Sequence, residues 1–277
     1  MTGFRREIHG RLAYVAEAAR ATAAHPREGI ERARERLAER RDLRAGPWRP
    51  AATGDERRLH ERLGLPWPCP EHGDFEAVWA GAVGTLADQG LRAGRGAFGG
   101  WDDGDERLCR IAWCLARHLR PGRVLETGVG RGLTTRVLLE ALERNRTGRL
   151  WSVDLPPLLE RALAAETGAA VTPALRGRWT LVTGSSRHVL PGLLREIGPI
   201  GVFVHDSMHT TRNVSFELGR AWPALAAGGA ALIDDVERNR GVQRFLAPRR
   251  DVYALVCPAS DQGALLACLL KPAPGTN

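Results

Sequence analysis

The stretch Val124-Leu125-Glu126-Thr127-Gly128-Val129-Gly130-Arg131-Gly132-Leu133-Thr134-Thr135 constrains the fold more than any other. A short apolar run ends in an acid and three glycines follow at alternate positions. Val137, Leu138, Leu139 and Leu142 then recur with helical spacing. Strand, glycine turn and helix in that order make the first unit of a nucleotide- or cofactor-binding α/β domain. Lacking Cβ atoms, the glycines allow a sharp turn and a close approach to a ligand. Dinucleotide sites use such a turn too, so the glycines alone do not discriminate. Glu126 does: a carboxylate at the strand end repels a pyrophosphate and attracts a cationic ligand.

The α/β alternation continues from residue 105 onward. A helix is expected over 106–119, and strands over 124–127, 150–154, 179–183, 200–204 and 230–233. Segments 252–256 and 264–270 close the sheet as a hairpin. The run 200–204 is continuously apolar, as buried parallel strands are. The expected fold is an α/β, Rossmann-like, seven-stranded and mostly parallel sheet over 105–277, preceded by a helical N-terminal extension over 1–104.

That extension reads as two helices over 1–45. Phe4, Ile8, Leu12 and Val15 share a face of the first. Pro26 opens the second, where Ile30, Ala33 and Leu37 are apolar amid Glu and Arg. This second helix is expected to be solvated or to pack on another subunit, which makes a homodimer plausible. Pro47, Trp48 and Pro50 mark a linker. A short helix over 55–63, a proline-rich connection over 65–70 and a helix N-capped by Asp74 and closed by Gly90 follow. Residues 92–104, with Phe98, Trp101, Asp102 and Asp103, read as a glycine-rich flap or a surface connection.

Charge and cysteine content narrow the class. The net charge of +8 suggests nucleic acid, but Lys271 is the only lysine and the arginines are interleaved with acids. No nucleic-acid partner is expected. Cys69, Cys109, Cys114, Cys257 and Cys268 are odd in number and contain no Cys-x-x-Cys, which indicates neither a disulfide framework nor a zinc site. A reducing compartment fits. No signal peptide or membrane span is legible, so a cytoplasmic location is expected.

Several polar residues fall at strand ends. Asp154 ends the second strand of the domain, where an acid accepts hydrogen bonds from ribose hydroxyls or caps a helix. Ser185 and Ser186 follow the third, beside the expected place of an adenine ring. Asp206 follows the fourth, and Asp234 and Asp235 follow the fifth. Three carboxylates converging on one edge are mutually repulsive. A hard cation such as Mg²⁺ relieves them, as would pairing with Arg212 or Arg238.

The pattern Glu126-x-Gly128-x-Gly130-x-Gly132 resembles the first motif of class I S-adenosylmethionine-dependent methyltransferases. From about 105 to 271 the chain resembles their metal-dependent O-methyltransferases, the group of the catechol and macrocin types. Residues 182–186 through Leu190-Pro191 are similar to that group's adenine-contacting segment. The 28 residues between Asp206 and Asp234 agree with its metal-ligand spacing. The resemblance implies S-adenosylmethionine held by Glu126, Gly128, Gly130, Gly132, Thr134, Asp154, Ser185 and Ser186. It implies Mg²⁺ held by Asp206, Asp234 and Asp235. His209, three residues after Asp206, falls at the group's proton acceptor, and its reference pKa of about 6.5 suits that task; His205 is a fallback. The implied substrate is a hydroxylated small molecule, a sugar or other natural product. A non-catalytic assembly protein on the same fold, or a methyltransferase of RNA or protein, are the alternatives. The common Asp-Gly-Asp-His run is replaced here by Asp206-Ser207-Met208-His209.

Overall fold

The computed structural model describes residues 26–99, 101–155, 161–260 and 263–273. The expected first helix, with Phe4, Ile8, Leu12 and Val15, lies outside them. Strands β1 (Gly94–Phe98) and β2 (Trp101–Asp103) form a small antiparallel hairpin. The main sheet contains β3 (Arg123–Thr127), β4 (Arg149–Asp154), β5 (Trp179–Thr183), β6 (Ile200–His205), β7 (Leu225–Ile233), β8 (Tyr253–Pro258) and β9 (Leu265–Leu270). Its spatial order is β5-β4-β3-β6-β7-β9-β8. The first five strands in that order pair in parallel, and β9 inserts antiparallel between β7 and β8. This is the doubly wound arrangement the apolar runs imply, and its order reverses beside β3, where ligands bind in such sheets.

The helices are α1 (Pro26–Ala45), α2 (Glu56–Leu63), α3 (His72–Ala87), α4 (Glu106–Leu119), α5 (Leu133–Asn145), α6 (Arg161–Ala165), α7 (Ser186–Ile197), α8 (Thr211–Ala224) and α9 (Gly241–Leu246). They cover both faces of the sheet. Successive strand residues point to opposite sides, so Val124, Val202 and Leu232 join one core with Leu108, Trp113 and Leu138. Leu125, Phe203 and Ile233 join the other with Leu190, Val214 and Leu218. Leu59, Phe75 and Val78 also lie in the first core. The chain ahead of residue 105 thus packs into the same interior as the sheet.

Three local expectations are corrected. Helix α3 starts two residues before Asp74, which sits in its first turn and not at its cap. The glycine-rich stretch is the β1–β2 hairpin, not an irregular loop. The third concerns α1, expected to be solvated or to pack on another subunit, which docks on α7 and α8 of its own chain. Ile30, Leu37 and Leu43 are 49%, 54% and 76% exposed, while Glu31 and Glu35 are buried. The carboxylates meet Arg212 of α8 and Arg187 of α7. Asp42 accepts hydrogen bonds from the Thr211 amide and hydroxyl at 2.7 and 2.6 Å. An arginine-rich surface on α7 and α8 selects the acidic face of α1, a choice that hydrophobic periodicity cannot foresee.

Candidate active site

The ladder of parallel hydrogen bonds continues past the strand ends and lines up the polar residues. The Gly128 amide donates to Val153 O, Asp206 to Thr127 O, and Asp234 to His205 O, at 2.9, 2.8 and 3.0 Å. Gly128 has φ +85°, and a Cβ placed there would lie 1.8 Å from the Asp206 carbonyl oxygen. The glycine is therefore required by the contact between the β3 and β6 ends, not only by a ligand. Gly132, at φ +85°, N-caps α5 in the left-handed region, and its own Cβ would meet the Gly168 backbone at 2.9 Å. Gly130 lies against Asp103 of the hairpin.

Glu126 is fully buried at the foot of this turn. One carboxylate oxygen accepts from the Thr135 and Ser152 hydroxyls at 2.7 and 2.6 Å. The other is buried without a hydrogen-bond partner. Burial pushes its pKa up to about 8, with the Asp206 and Asp154 charges adding to the rise against the two hydroxyl bonds. Burial likewise raises Asp103 to about 6 and raises Asp154, and the Asp206 charge adds to both. Asp234 is held well above the usual carboxylate range by burial and then by Asp206. These carboxyls line one end of the sheet and oppose one another's ionisation, an arrangement that stabilises cations and repels phosphates.

Asp206, His209 and Asp234 converge so that one ligand atom from each lies within 4.8 Å of the others. His209 Nδ1 donates to Asp235 Oδ2 at 2.8 Å. His209 Nε2 is buried without a hydrogen-bond partner, 3.7 Å from Asp206 Oδ1. Burial pulls the imidazole pKa down, but the facing Asp206 and Asp235 carboxylates, and then the Asp234 charge, outweigh it. They hold His209 well above its usual value. Asp235, with φ +50°, turns aside from the cluster and pairs with Arg238 Nε at 3.1 Å as well as with His209. Arg238 thus pairs with Asp235 and Glu237, and Arg212 is taken up by α1. An orphaned imidazole nitrogen facing two carboxylates fits a divalent cation, with Asp235 orienting the histidine from behind. The geometry gathers Asp206 and Asp234 as expected, places Asp235 one step back, and brings in His209 as a donor atom.

The remaining expected residues are placed as follows. Asp154 Oδ1 accepts from the Val129 amide at 3.4 Å, which ties it to the glycine turn. Thr134 is buried in the first turn of α5, its hydroxyl 3.5 Å from Cys109 Sγ. Ser185 is the N-cap of α7, and its amide donates to Glu28 of α1 at 3.2 Å. The Ser186 hydroxyl donates to Asn213 at 3.3 Å. His205 is fully buried, with Nδ1 on Glu217 at 2.6 Å. Glu217 also accepts from Thr127, Ser207 and Asn213, so His205 belongs to a buried network beneath the site.

Sequence reasoning missed the residues that wall the site. Arg131 donates to Glu166 at 2.8 Å and to the carbonyls of Arg92 and Ala97 at 2.7 Å, which pins the hairpin beside the glycine turn. Asp103 accepts from the Arg131 amide at 3.3 Å. Glu28 and Arg32 of α1 reach Ser185 and the Leu155 carbonyl. Only Asp103 carried a signal, as part of an acidic, glycine-rich run ahead of the domain. The others are single residues in patterns that read as solvated.

No curated protein matches the chain by sequence. Residues 125–236 match a family described as a methyltransferase domain. Among solved structures, the chain is similar to the O-methyltransferase TomG of Streptomyces achromogenes, involved in tomaymycin synthesis and solved with S-adenosylmethionine. Identity is 19% and the TM-score 0.51, over 70% of this chain and 89% of that one. It is similar to an O-methyltransferase of Bacillus cereus, solved with S-adenosylhomocysteine, at 16% identity and TM-score 0.52, over 70% and 91% of the two chains. It is also similar to cofactor-bound Rv0187 from MTB, at 17% identity and TM-score 0.52, over 82% and 100%. The strand order and the structural likenesses together give this chain the class I methyltransferase fold, and residues 125–236 carry the match to a methyltransferase domain.

Proposed function

We propose that the protein is an S-adenosylmethionine-dependent O-methyltransferase that methylates a hydroxyl of a small molecule with the help of a divalent cation. The observation that carries this reading is the convergence of Asp206, Asp234 and the unpartnered His209 Nε2 beside the glycine turn. Glu126 and Asp154 would receive the cationic amino acid end and the ribose of the donor, and a wall of carboxyls that already oppose one another's ionisation disfavours a phosphate-bearing cofactor. Asp206, Asp234 and His209 would hold the cation. Two carboxylates and an imidazole suit Mn²⁺ as well as the expected Mg²⁺. When bound, the cation lowers the acceptor hydroxyl's pKa and the donor supplies an electrophilic methyl group. Within this frame His209 is a ligand and not the proton acceptor, and Asp235 is a positioning residue that fixes its tautomer. The β1–β2 hairpin, tied to the glycine turn by Arg131, and α1, tied to Ser185 by Glu28, would help hold donor and acceptor together, where most of the acceleration in such a transfer arises.

Calorimetric titration of S-adenosylmethionine, Mg²⁺ and Mn²⁺ into the protein and its Asp206→Asn and Asp234→Asn variants tests the reading. Donor affinity is expected to persist in both variants while cation binding is lost. Variants that bind the cation like the parent would remove the metal site, and a parent that binds no donor would remove the cofactor. A panel of hydroxylated metabolites, followed by release of S-adenosylhomocysteine, then identifies the acceptor class.

A further inference from the structure

A second group of metal-ligating side chains lies in the chain ahead of the domain and on α4. His60 of α2, Cys69 of the proline-rich connection, and Cys114 and His118 of α4 bring one ligand atom each to within 4.8 Å of the others. Cys114 and His118 are four residues apart and share one face of their helix. His60 Nε2 lies 3.4 Å from Cys114 Sγ, and His118 Nε2 lies 3.5 Å from Cys69 Sγ. Zinc–sulfur and zinc–nitrogen bonds of about 2.3 and 2.05 Å give a tetrahedron whose sulfur–nitrogen edges are about 3.6 Å. The two observed contacts are already close to that length.

The surroundings orient the donors. His60 Nδ1 lies 2.8 Å from the Glu56 carbonyl, which only accepts, so Nδ1 carries the proton and Nε2 presents its lone pair to the thiols. His60 and Cys114 are buried, and Trp67 packs edge-on to the His60 ring at 4.9 Å. Leu59, Phe75 and Trp113 enclose the group as part of the first core. Sequence spacing pointed away from such a centre because the ligands come from three separate elements, with no paired cysteines.

We propose that His60, Cys69, Cys114 and His118 form a structural zinc site that fastens α2 and the proline-rich connection to α4. The donor set of two thiolates and two imidazoles selects a tetrahedral, borderline-soft ion over Mg²⁺ or Ca²⁺. All four positions are filled by protein, so the site holds the chain and leaves no open position for catalysis. Zinc binding releases the two thiol protons to solvent and changes no oxidation state. The site is separate from the Asp206–His209–Asp234 cluster and does not depend on the function proposed for it.

The test uses the full-length chain purified under reducing conditions and desalted. Elemental analysis is expected to find about one zinc per chain, and Co²⁺ substituted for it should show thiolate-to-cobalt charge-transfer absorption with a tetrahedral ligand-field spectrum. Zinc content should fall about tenfold in Cys69→Ser and in His118→Gln, whose side chains are only half-buried, and stay unchanged in Asp234→Asn. Circular dichroism of each variant reports whether it folds, and the cobalt spectrum of the parent decides the matter if the variants do not. The proposal is overturned by a parent with free thiols that retains no zinc and shows no thiolate–cobalt band. It is equally overturned by zinc lost in Asp234→Asn but kept in Cys69→Ser, or by a Cys69–Cys114 disulfide in the freshly isolated protein.

Discussion

The buried carboxyl of Glu126 makes donor binding depend on pH in a calculable way. Its pKa of about 8 in the donor-free protein means the group is protonated at neutral pH. A cationic donor against its unpartnered oxygen favours the carboxylate, so binding releases a proton. At pH 7 about one molecule in eleven is ionised, and selecting that form costs about 1.4 kcal/mol. At pH 6 the fraction is about one in a hundred, so the dissociation constant is expected to fall about ninefold from pH 6 to pH 7. That window stays below the titration of the donor's own amine at about 7.7–8. Calorimetry at pH 7 in two buffers of different ionisation enthalpy should count about 0.9 protons released per donor bound. Glu126→Gln can keep the Thr135 and Ser152 hydroxyl bonds and removes the titration. A charge-assisted hydrogen bond is worth about 1.5–3 kcal/mol, so after the ionisation cost the variant should bind no more than about fifteenfold more weakly at pH 7. Its affinity should be flat from pH 6 to pH 7. The sign is opposite for folding: a carboxyl raised from 4.5 to about 8 lowers donor-free stability as pH climbs between those values. A flat profile in the parent, or the same slope in Glu126→Gln, would refute the assignment of Glu126 to the donor's cationic end.

Two further expectations concern the scaffold. Gly128→Ala combines a φ of +85° with a Cβ 1.8 Å from the Asp206 carbonyl oxygen, so it should cost more than about 3 kcal/mol in urea denaturation. Gly64→Ala, at φ +69° with open space around it, should cost only about 1–2 kcal/mol, and equal losses would show that the β3–β6 contact is not the constraint. Arg212→Ala removes the partner of Glu31 and Glu35, and since the arginine is 28% exposed about 2 kcal/mol is expected, not the full cost of a buried charge. Hydrogen exchange should then accelerate in α1 and not in the sheet; unchanged protection of residues 26–45 would contradict docking through the acidic face.

The strands were legible because each is a mostly apolar run bounded by turn residues, and six of the seven end within a residue of the expected place. Asp206 and Asp234 were legible for the same reason: a strand end is a local property, and parallel neighbours bring their ends to one edge. The part proposed for His209 was not legible. Its distance from Asp206 along the chain admits either a base or a ligand, and the proposed ligand role rests on Asp235, whose left-handed backbone swings the carboxylate behind the imidazole. The docking of α1 on its own chain was not legible because its apolar Ile30 and Leu37 stay exposed and its acids meet arginines of α7 and α8.

From the sequence alone came the α/β class, the glycine turn and the acids at the strand ends. Each follows from burial and backbone geometry over a few consecutive residues, and those preferences survive whatever lies elsewhere in the chain. Only the tertiary structure decided which polar groups find one another: Glu31 and Glu35 with Arg212, His209 between Asp206 and Asp235, His60 and Cys69 with Cys114 and His118. A polar side chain's partner is set by distance and direction in space, and residues far apart in sequence carry no local mark of having been brought within 3 or 4 Å of each other.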